Sequence, residues 1–219
     1  MKKKSFICTK IDSLTQKSRF ITISLVILFC LFYCSAGAQG WEFVKERNGI
    51  KVFTRKEPNT SLKSFKGIMD VHSTMDRVKK LIGNVHNTEW WDKNVKDIRV
   101  LYYEENKHFK YYLRYDVPWP LADRDLCVDA CVKEDPVTGI REINAKPLPN
   151  LVPEQEGVVR ITNYWQKWVI QPMDNGIIRI TLEGSVDPGG SVPTWLINLV
   201  ITDTPLNVMG GIKEKVEIK

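Results

Sequence analysis

The residue types that could support catalysis are clustered most closely at positions 123–125. Asp123 and Asp125 have the spacing of a carboxylate pair, which could act as a general acid and a general base. Arg124 lies between them, however, and the three residues begin an apolar strand segment shortly after a Pro-Trp-Pro sequence. A cation between two carboxylates favours ion pairing, so the sequence predicts a structural role for this corner.

Histidine and cysteine side chains offer nucleophilic or metal-binding chemistry, but their positions argue against both. His72, His86 and His108 are scattered over predicted strand ends and loops, where no nucleophile, base and orienting group can be assembled. Cys127 and Cys131 are four residues apart on a predicted strand, hence about 13 Å apart, which exceeds the reach of a disulfide. We therefore expect free thiols, no metal site, no cofactor and no catalytic residues.

The elements that would position these residues are mainly strands. Each predicted strand alternates apolar and polar side chains or is a short apolar run between turn signals. The turn Asp174-Asn175-Gly176 links the last two strands into a hairpin. The predicted strands cover residues 50–55, 62–71, 97–103, 109–117, 126–134, 140–145, 158–170 and 177–186.

Helical spacing of apolar residues predicts the remaining elements. Residues 41–47 are typical of a helix end, and Ser73 or Thr74 caps a short helix. Residues 192–219 form an amphipathic helix with a break near Pro205. The order hairpin, helix, strands and terminal helix predicts an α+β fold with an antiparallel sheet. The apolar stripe of the terminal helix must be buried, and the concave face of a curled sheet is its available partner.

Residues 1–38 have the pattern of an export signal. A basic start is followed by a mostly apolar run at 20–33 and by Ala36-Gly37-Ala38, an A-x-A cleavage pattern. We predict cleavage after Ala38 and a secreted, periplasmic protein with one domain at 39–219; an uncleaved anchor and a lipoprotein attached at Cys34 are the alternatives. Without the leader the chain has 26 basic and 25 acidic residues, a net charge of +1. This removes the electrostatic argument for a nucleic-acid partner.

Five motifs, taken together, resemble those of one family. They are Trp41 with GIKVFTR at 49–55; Trp91-Asp92 with Val95; Pro118-x-Pro120-x-x-x-Arg124-Asp125; PEQEGVVR at 153–160; and GGSVPTWLIN at 189–198. In this order and spacing they are similar to the START domain, a lipid-transfer module of the helix-grip fold shared with Bet v 1-like proteins. The resemblance covers nearly all of the chain beyond the leader. It implies a U-shaped antiparallel sheet that grips a long C-terminal helix around a hydrophobic tunnel holding one apolar molecule.

The inner face of such a sheet should carry the ligand contacts, and strand alternation selects the candidates. Asn163 is the exception in an apolar set, because a buried amide needs a partner, which a ligand hydroxyl or head group, the backbone or water would supply. For the apolar positions, ordinary core packing is the alternative. Pro205 would let the terminal helix bend as a lid. The predicted contacts are Tyr111, Leu113, Tyr115, Val159, Ile161, Asn163, Trp165, Ile178, Ile180 and Leu182 on the sheet, and Leu196, Leu199, Val200 and Leu206 on the helix.

The resemblance implies a carrier that binds a lipid or other hydrophobic small molecule, since family members shuttle or sense ligands and generally do not transform them. Sterol-carrying members have an acidic residue and an arginine in the tunnel; the nearest positions here are Tyr111 and Ala130, so the ligand class stays open. We expect a monomer that contacts membranes transiently, with one ring of Trp90-Trp91 at the interface. The alternatives are a cyclase- or hydrolase-like enzyme acting in the same tunnel and a protein-interaction module with a closed core.

Overall fold

The computed structural model describes residues 40–87 and 94–218. Contacts within the chain separate a unit that ends at Gly40 from a unit at 41–219, and the described fold is that of the second unit. The predicted export signal, Trp90 and Trp91 lie outside the described residues.

Within the described part of the chain, ten strands form one sheet. The strands are paired antiparallel, except that the short β8 runs parallel to β6. Their order across the sheet is β1-β2-β3-β10-β9-β7-β6-β5-β4, which confirms the predicted α+β class with an antiparallel sheet. In chain order they are β1 (Glu42–Arg47), β2 (Ile50–Lys56), β3 (Lys63–His72), β4 (Val95–Glu104), β5 (His108–Tyr115), β6 (Asp123–Glu134), β7 (Arg141–Pro147), β8 (Val158–Arg160), β9 (Asn163–Pro172) and β10 (Ile177–Asp187).

Two predicted elements differ from the structure. Residues 42–47 form the edge strand β1 and not a helix end, because Asn48 and Gly49, both at positive φ, turn the chain so that β1 pairs with β2. The segment 158–170 is two strands, because the chain leaves the sheet at residues 161–162 after β8 has paired with β6. The second difference shifts the alternation of side chains along β9.

The hydrophobic core lies on one face of the sheet, which we call the inner face. Alternation places Tyr111 and Leu113 of β5 and Ile180 of β10 in this core. Tyr112 points the other way and is nevertheless fully buried, because Arg99 stacks over its ring and Gln155 of the 148–157 connection donates to its hydroxyl. The sheet is therefore covered on both faces at β5 and β6.

The first helix, α1 (Met75–Lys79), begins where the sequence predicts a cap. The Thr74 hydroxyl accepts a hydrogen bond from the backbone nitrogen of Arg77 at 3.3 Å. The helix lasts five residues, and the following loop at 80–87 buries Leu81, Ile82 and Val85 in the core. This loop covers the end of the inner face at which β6 ends and β7 begins.

The C-terminal segment forms two helices, α2 (Thr194–Val200) and α3 (Asp203–Val216). The break lies at residues 201–202 and not at Pro205, which occupies the first turn of α3, where its missing N–H breaks no helical hydrogen bond. Leu206, Met209 and Ile212 are buried, and burial of each such side chain contributes about 1.5–3 kcal/mol. Gly67 of β3 makes close packing possible, since a Cβ at this position would lie 2.9 Å from Pro205 Cβ and would overlap Met209.

Candidate ligand-binding site

The floor of the inner face is apolar at the centre of the sheet. Ile180 and Leu182 of β10 lie opposite Ile170 and Trp168 of β9, and all four are buried. The predicted positions Tyr111, Leu113, Ile178, Ile180 and Leu182 are therefore part of this wall, as are the partly buried Tyr115 and the buried Ile161. Their contact with a ligand stays a prediction. Val159 lies at one end of the sheet, within reach of the Gly189 loop.

Strand β9 turns a different set of side chains inward from the predicted one. Because the chain leaves the sheet at 161–162, the alternation of β8 does not continue into β9, and Asn163 and Trp165 fall on the outer face. Asn163 is exposed, so the expectation that its amide is buried beside a ligand is wrong. Tyr164, Gln166 and Trp168 face inward together with Ile170, and the predicted contacts include none of the four.

These three residues form a polar group within the apolar wall. The Tyr164 hydroxyl donates to Gln166 Oε1 at 3.1 Å, and Trp168 Nε1 donates to the same oxygen at 3.2 Å. Both bonds use the Gln166 oxygen, and none of the described residues accepts a hydrogen bond from its Nε2. The amide therefore presents a donor on the inner face. A glutamine on the same strand face as Trp168 and Ile170 was the sequence signal for this group.

Two more tyrosines lie beside it. Burial raises the pKa of Tyr164 well above its ordinary value, and the neighbouring Tyr111 and Tyr115 add to the rise. Burial also raises the pKa of Tyr111, again with a contribution from Tyr115. The hydroxyls of Tyr111 and Tyr164 are thus neutral at physiological pH and act as hydrogen-bond donors and acceptors. We call Tyr111, Tyr115, Tyr164 and Gln166 the tyrosine cluster.

The helix residues predicted to face the tunnel divide between α2 and α3. Leu206 of α3 is buried against the sheet, and Leu196 of α2 is half-buried. Leu199 and Val200 are 66% and 51% exposed, so the expectation that they face inward is wrong. The reason is the break at 201–202, which limits α2 to about two turns and leaves none of its residues fully buried.

Exposed apolar side chains gather at the same end of the molecule. Trp119, in the loop before β6, is 91% exposed, and Trp195 of α2 is 69% exposed. Arg124 connects the two segments, because its guanidinium donates to the carbonyl of Ala122 and to those of Pro188 and Gly189 in the loop before α2. We call this surface the apolar rim; its members are Trp119, Leu121, Trp195, Leu199 and Val200.

The aspartates at 123–125 form ion pairs, as predicted. Asp125 binds Arg160 through two hydrogen bonds of 2.7 and 2.9 Å, and both side chains are buried. Asp123 accepts two from Arg114, at 2.6 and 2.8 Å, and these bonds lower the pKa of its carboxyl group. Neither carboxylate is therefore placed to exchange protons with a substrate on the inner face.

The remaining candidates for chemistry do not assemble into a site. Cys127 is buried, Cys131 is exposed, and both thiols are free. Residues 40–87 and 94–218 contain no group of three or more His, Cys, Asp or Glu side chains arranged to hold a metal ion. Over the same residues, no helix is both long and apolar enough to span a bilayer.

Comparison with known proteins agrees with this architecture. The START domain profile matches residues 34–216. An uncharacterised protein of Pseudomonas aeruginosa is 28% identical over 184 residues, which cover 84% of this chain and 90% of that protein. Phosphatidylcholine transfer protein of Rattus norvegicus is 26% identical over 173 residues, covering 72% and 75% respectively. The crystal structure of a STAR-related lipid transfer protein from Xanthomonas axonopodis superposes with a TM-score of 0.73 at 26% identity, covering 80% of this chain and 97% of that one. The predicted fold, a curved antiparallel sheet with a C-terminal helix packed against it, is confirmed.

Proposed function

This chain belongs to the START domain family, and on that premise we propose that it binds one lipid or other hydrophobic small molecule in a tunnel between the inner face and α3. Binding serves transfer or sequestration of the ligand and not its chemical conversion. The observation that carries the proposal is the tyrosine cluster, a set of hydrogen-bonding groups surrounded by apolar side chains. The relatives named phosphatidylcholine transfer protein and STAR-related lipid transfer protein support a lipid as the ligand class.

The chemistry of the inner face suits an amphiphile. Affinity for an apolar chain comes from burial, at about 25 cal/mol per Å² of apolar surface, and a few polar groups fix its orientation. The hydroxyls of Tyr111 and Tyr164 stay neutral because burial raises their pKa values. Neutral hydroxyls and the Gln166 amide are suited to a carbonyl, ester or hydroxyl oxygen of the ligand.

We propose that α2 is the gate of the tunnel. It is joined to α3 by the break at 201–202 and buries none of its side chains fully, so moving it sacrifices little apolar contact. The loop before it is fixed by Arg124, and α3 is fixed by its buried residues. Opening would therefore move α2 while the sheet and α3 keep their packing.

Transfer requires contact with a membrane, and we propose that the apolar rim makes it. Tryptophan rings favour the interface between lipid head groups and acyl chains, and the rim presents two of them, Trp119 and Trp195, with three aliphatic side chains. Because Leu199 and Val200 belong both to the rim and to α2, insertion of the rim would act directly on the gate. The contact is transient, since the rim is small and lacks a spanning segment.

We propose the cellular location of the protein from the sequence pattern of residues 1–38. Residues 1–38 direct export, cleavage follows Ala38, and the protein acts as a monomer in the periplasm. The intact mass of the protein recovered from the envelope fraction checks this directly. A chain that begins at Gln39 supports it, whereas a chain that retains residues 1–38 favours the uncleaved anchor.

The first test of the proposed function is native mass spectrometry of the protein expressed with its own leader and purified from the envelope. We expect a stoichiometric apolar adduct that organic solvent extracts, and saturable uptake of fluorescent phosphatidylcholine or dehydroergosterol at one molecule per chain. A bare protein that takes up neither probe contradicts the proposal.

A pair of adjacent substitutions localises the ligand. Ala145 is buried on the inner face opposite Gln166, so Ala145→Phe fills the space beside the tyrosine cluster and should reduce uptake at least tenfold. Asn144→Phe introduces the same ring one residue earlier, on the exposed side of β7, and should leave uptake unchanged. Equal uptake by both variants would place the ligand elsewhere.

A further inference from the structure

Arg141 is a charged residue on the inner face and does not belong to the tyrosine cluster. It is 1% exposed and lies at the start of β7, opposite the buried Ile170 of β9. Ile143 is the next residue of β7 on the same face. Burial of a guanidinium is costly unless its five N–H groups find acceptors. The hydrogen-bond partners of this side chain therefore indicate whether its role is structural or whether it has donors left for a ligand.

Its pairing is incomplete. Nη1 donates to Glu134 Oε2 at 3.2 Å, and among the described residues this is its single acceptor. Nε is fully enclosed and has no hydrogen-bond partner within the part of the chain that the structure describes. Glu134 is itself shared, because Lys79 Nζ lies 2.5 Å from its other oxygen. Two cations thus share one partly exposed carboxylate, each at a different oxygen, and the group Lys79, Glu134 and Arg141 has a net charge of +1.

The surroundings place the guanidinium inside the fold. Gly83 of the covering loop lies directly over it: a Cβ at this glycine would be 3.5 Å from Arg141 Nη2. Tyr103 of β4 lies close enough to Arg141 to sense its charge. Burial raises the pKa of the Tyr103 hydroxyl, and the positive charge of Arg141 opposes this rise. Tyr103 and Ile143 both pack against the core of the inner face.

We infer that Arg141 is the binding site for an anionic head group of the ligand, a carboxylate or a phosphate, at the end of the inner face farthest from the apolar rim. A guanidinium offers planar, paired N–H donors that match the oxygens of either group, and the enclosed Nε supplies one of them. The inference rests on the proposed function, which it extends by assigning the charge of the ligand and its orientation. Arg141 lies opposite Glu134 at the end of β6, whereas the rim adjoins the start of β6 at Asp123, so the ligand enters head first.

Three probes with one acyl chain separate the charge from the chain. Oleate carries a carboxylate, 1-oleoyl lysophosphatidate carries a phosphate, and oleyl alcohol is uncharged. We expect the wild-type chain to bind at least one anion tenfold or more tightly than oleyl alcohol, and the tighter anion identifies the head group. Equal binding of all three overturns the inference but leaves the proposed function intact, whereas binding of none contradicts the proposed function itself.

Arg141→Met tests the residue. The variant keeps the volume of the side chain and leaves Glu134 paired with Lys79, so the fold should persist. We expect its affinity for the preferred anion to fall at least tenfold, while its affinity for oleyl alcohol changes less than twofold. A parallel loss for all three probes would assign Arg141 a purely structural role and overturn the inference.

Two further variants keep the test decisive. Arg141→Lys retains the charge without the planar donors and should preserve part of the preference for the anion. Arg179→Met removes an outer-face arginine that pairs with Asp70, and it should leave the preference unchanged. A preference for anions that survives Arg141→Met, or that Arg179→Met abolishes, contradicts the assignment.

Discussion

Arg160 and Arg141 are both buried, on opposite faces of the same sheet, and they differ in how fully they are paired. Arg160 donates through all three nitrogens, to Asp125 and to the carbonyls of Pro149, Val152 and Pro153. Within residues 40–87 and 94–218, Arg141 has one acceptor, and its enclosed Nε has none. A fully paired buried charge is explained by the fold alone. An incompletely paired buried charge has N–H donors without acceptors, and a bound molecule would supply those acceptors.

The same contrast holds for the buried tyrosines. Tyr112, on the outer face, has a ring covered by Arg99 and a hydroxyl that accepts from Gln155 at 2.9 Å. Tyr164, on the inner face, shares the oxygen of Gln166 with Trp168, and no described residue accepts a hydrogen bond from the Gln166 amide nitrogen. The outer face thus stabilises the sheet, and the inner face holds hydrogen-bonding capacity in reserve. Each of the following changes tests this division.

The largest effect is expected from Asp125→Ala. The change leaves the Arg160 charge buried without its carboxylate and should lower the free energy of unfolding by about 3–5 kcal/mol. Denaturant titration measures the loss, and the folded fraction should bind a probe lipid with unchanged affinity. Asp70→Ala is the matched control, because it breaks an exposed pair with Arg179 and should cost about 1 kcal/mol or less. Similar losses for both variants would contradict the division.

The next effect concerns pH. The pKa values of Tyr111 and Tyr164 are raised in the folded state, so above about pH 10 the unfolded chain releases protons that the folded chain retains. The contribution of these two tyrosines to the free energy of unfolding is therefore fully present below about pH 10. It falls as the pH rises further, by about 1.4 kcal/mol per pH unit for each tyrosine. Unfolding titrations at pH 8 to 11 measure this slope. Tyr164→Phe should reduce it, and an unchanged slope would argue against burial of this hydroxyl.

Much of the fold was predictable because alternation is a local property. The strands at 109–117 and 177–186, the cap at Thr74 and the ion-paired corner at 123–125 each depend on residues close in sequence. The inner face of β9 was not predictable, since its register depends on where the chain leaves the sheet at 161–162, and that is set by the parallel pairing of β8 with β6.

Two further features depended on contacts between residues distant in sequence. The break at 201–202 precedes Pro205, because α3 is fixed against β3 at Gly67, which is more than 130 residues earlier in the chain. Arg141 lies in the predicted strand 140–145, where local sequence alone does not indicate burial. The loop at 80–87, about 60 residues earlier in the chain, lies over its guanidinium and contributes to its burial.

A smaller effect distinguishes the tyrosines of the two faces. If the Tyr164 hydroxyl binds the ligand as proposed, Tyr164→Phe removes one hydrogen bond to it. Since such a bond contributes about 0.5–1.5 kcal/mol, the dissociation constant of a probe lipid should rise about two- to tenfold. Tyr112→Phe removes a buried hydroxyl of the outer face and should lower stability by a similar free energy without changing this constant. Fluorescence titration of both variants decides. An effect on binding from Tyr112→Phe alone would reverse the roles of the faces.

The smallest effect is expected from a substitution in the apolar rim, which belongs to neither face of the sheet. It distinguishes ligand binding from ligand transfer. Leu199 is 66% exposed and lies on a helix without fully buried residues, so Leu199→Ser should leave stability and the equilibrium affinity for a probe lipid unchanged. If the rim inserts into membranes and α2 is the gate, the rate of probe transfer between vesicles should nevertheless fall severalfold, because a polar side chain weakens insertion. Val137→Ser is the matched control, since Val137 is 91% exposed in the turn between β6 and β7, away from the rim. A loss of equilibrium affinity in Leu199→Ser would instead show that α2 closes over the ligand with this side chain inward, and the gate would then belong to the inner face.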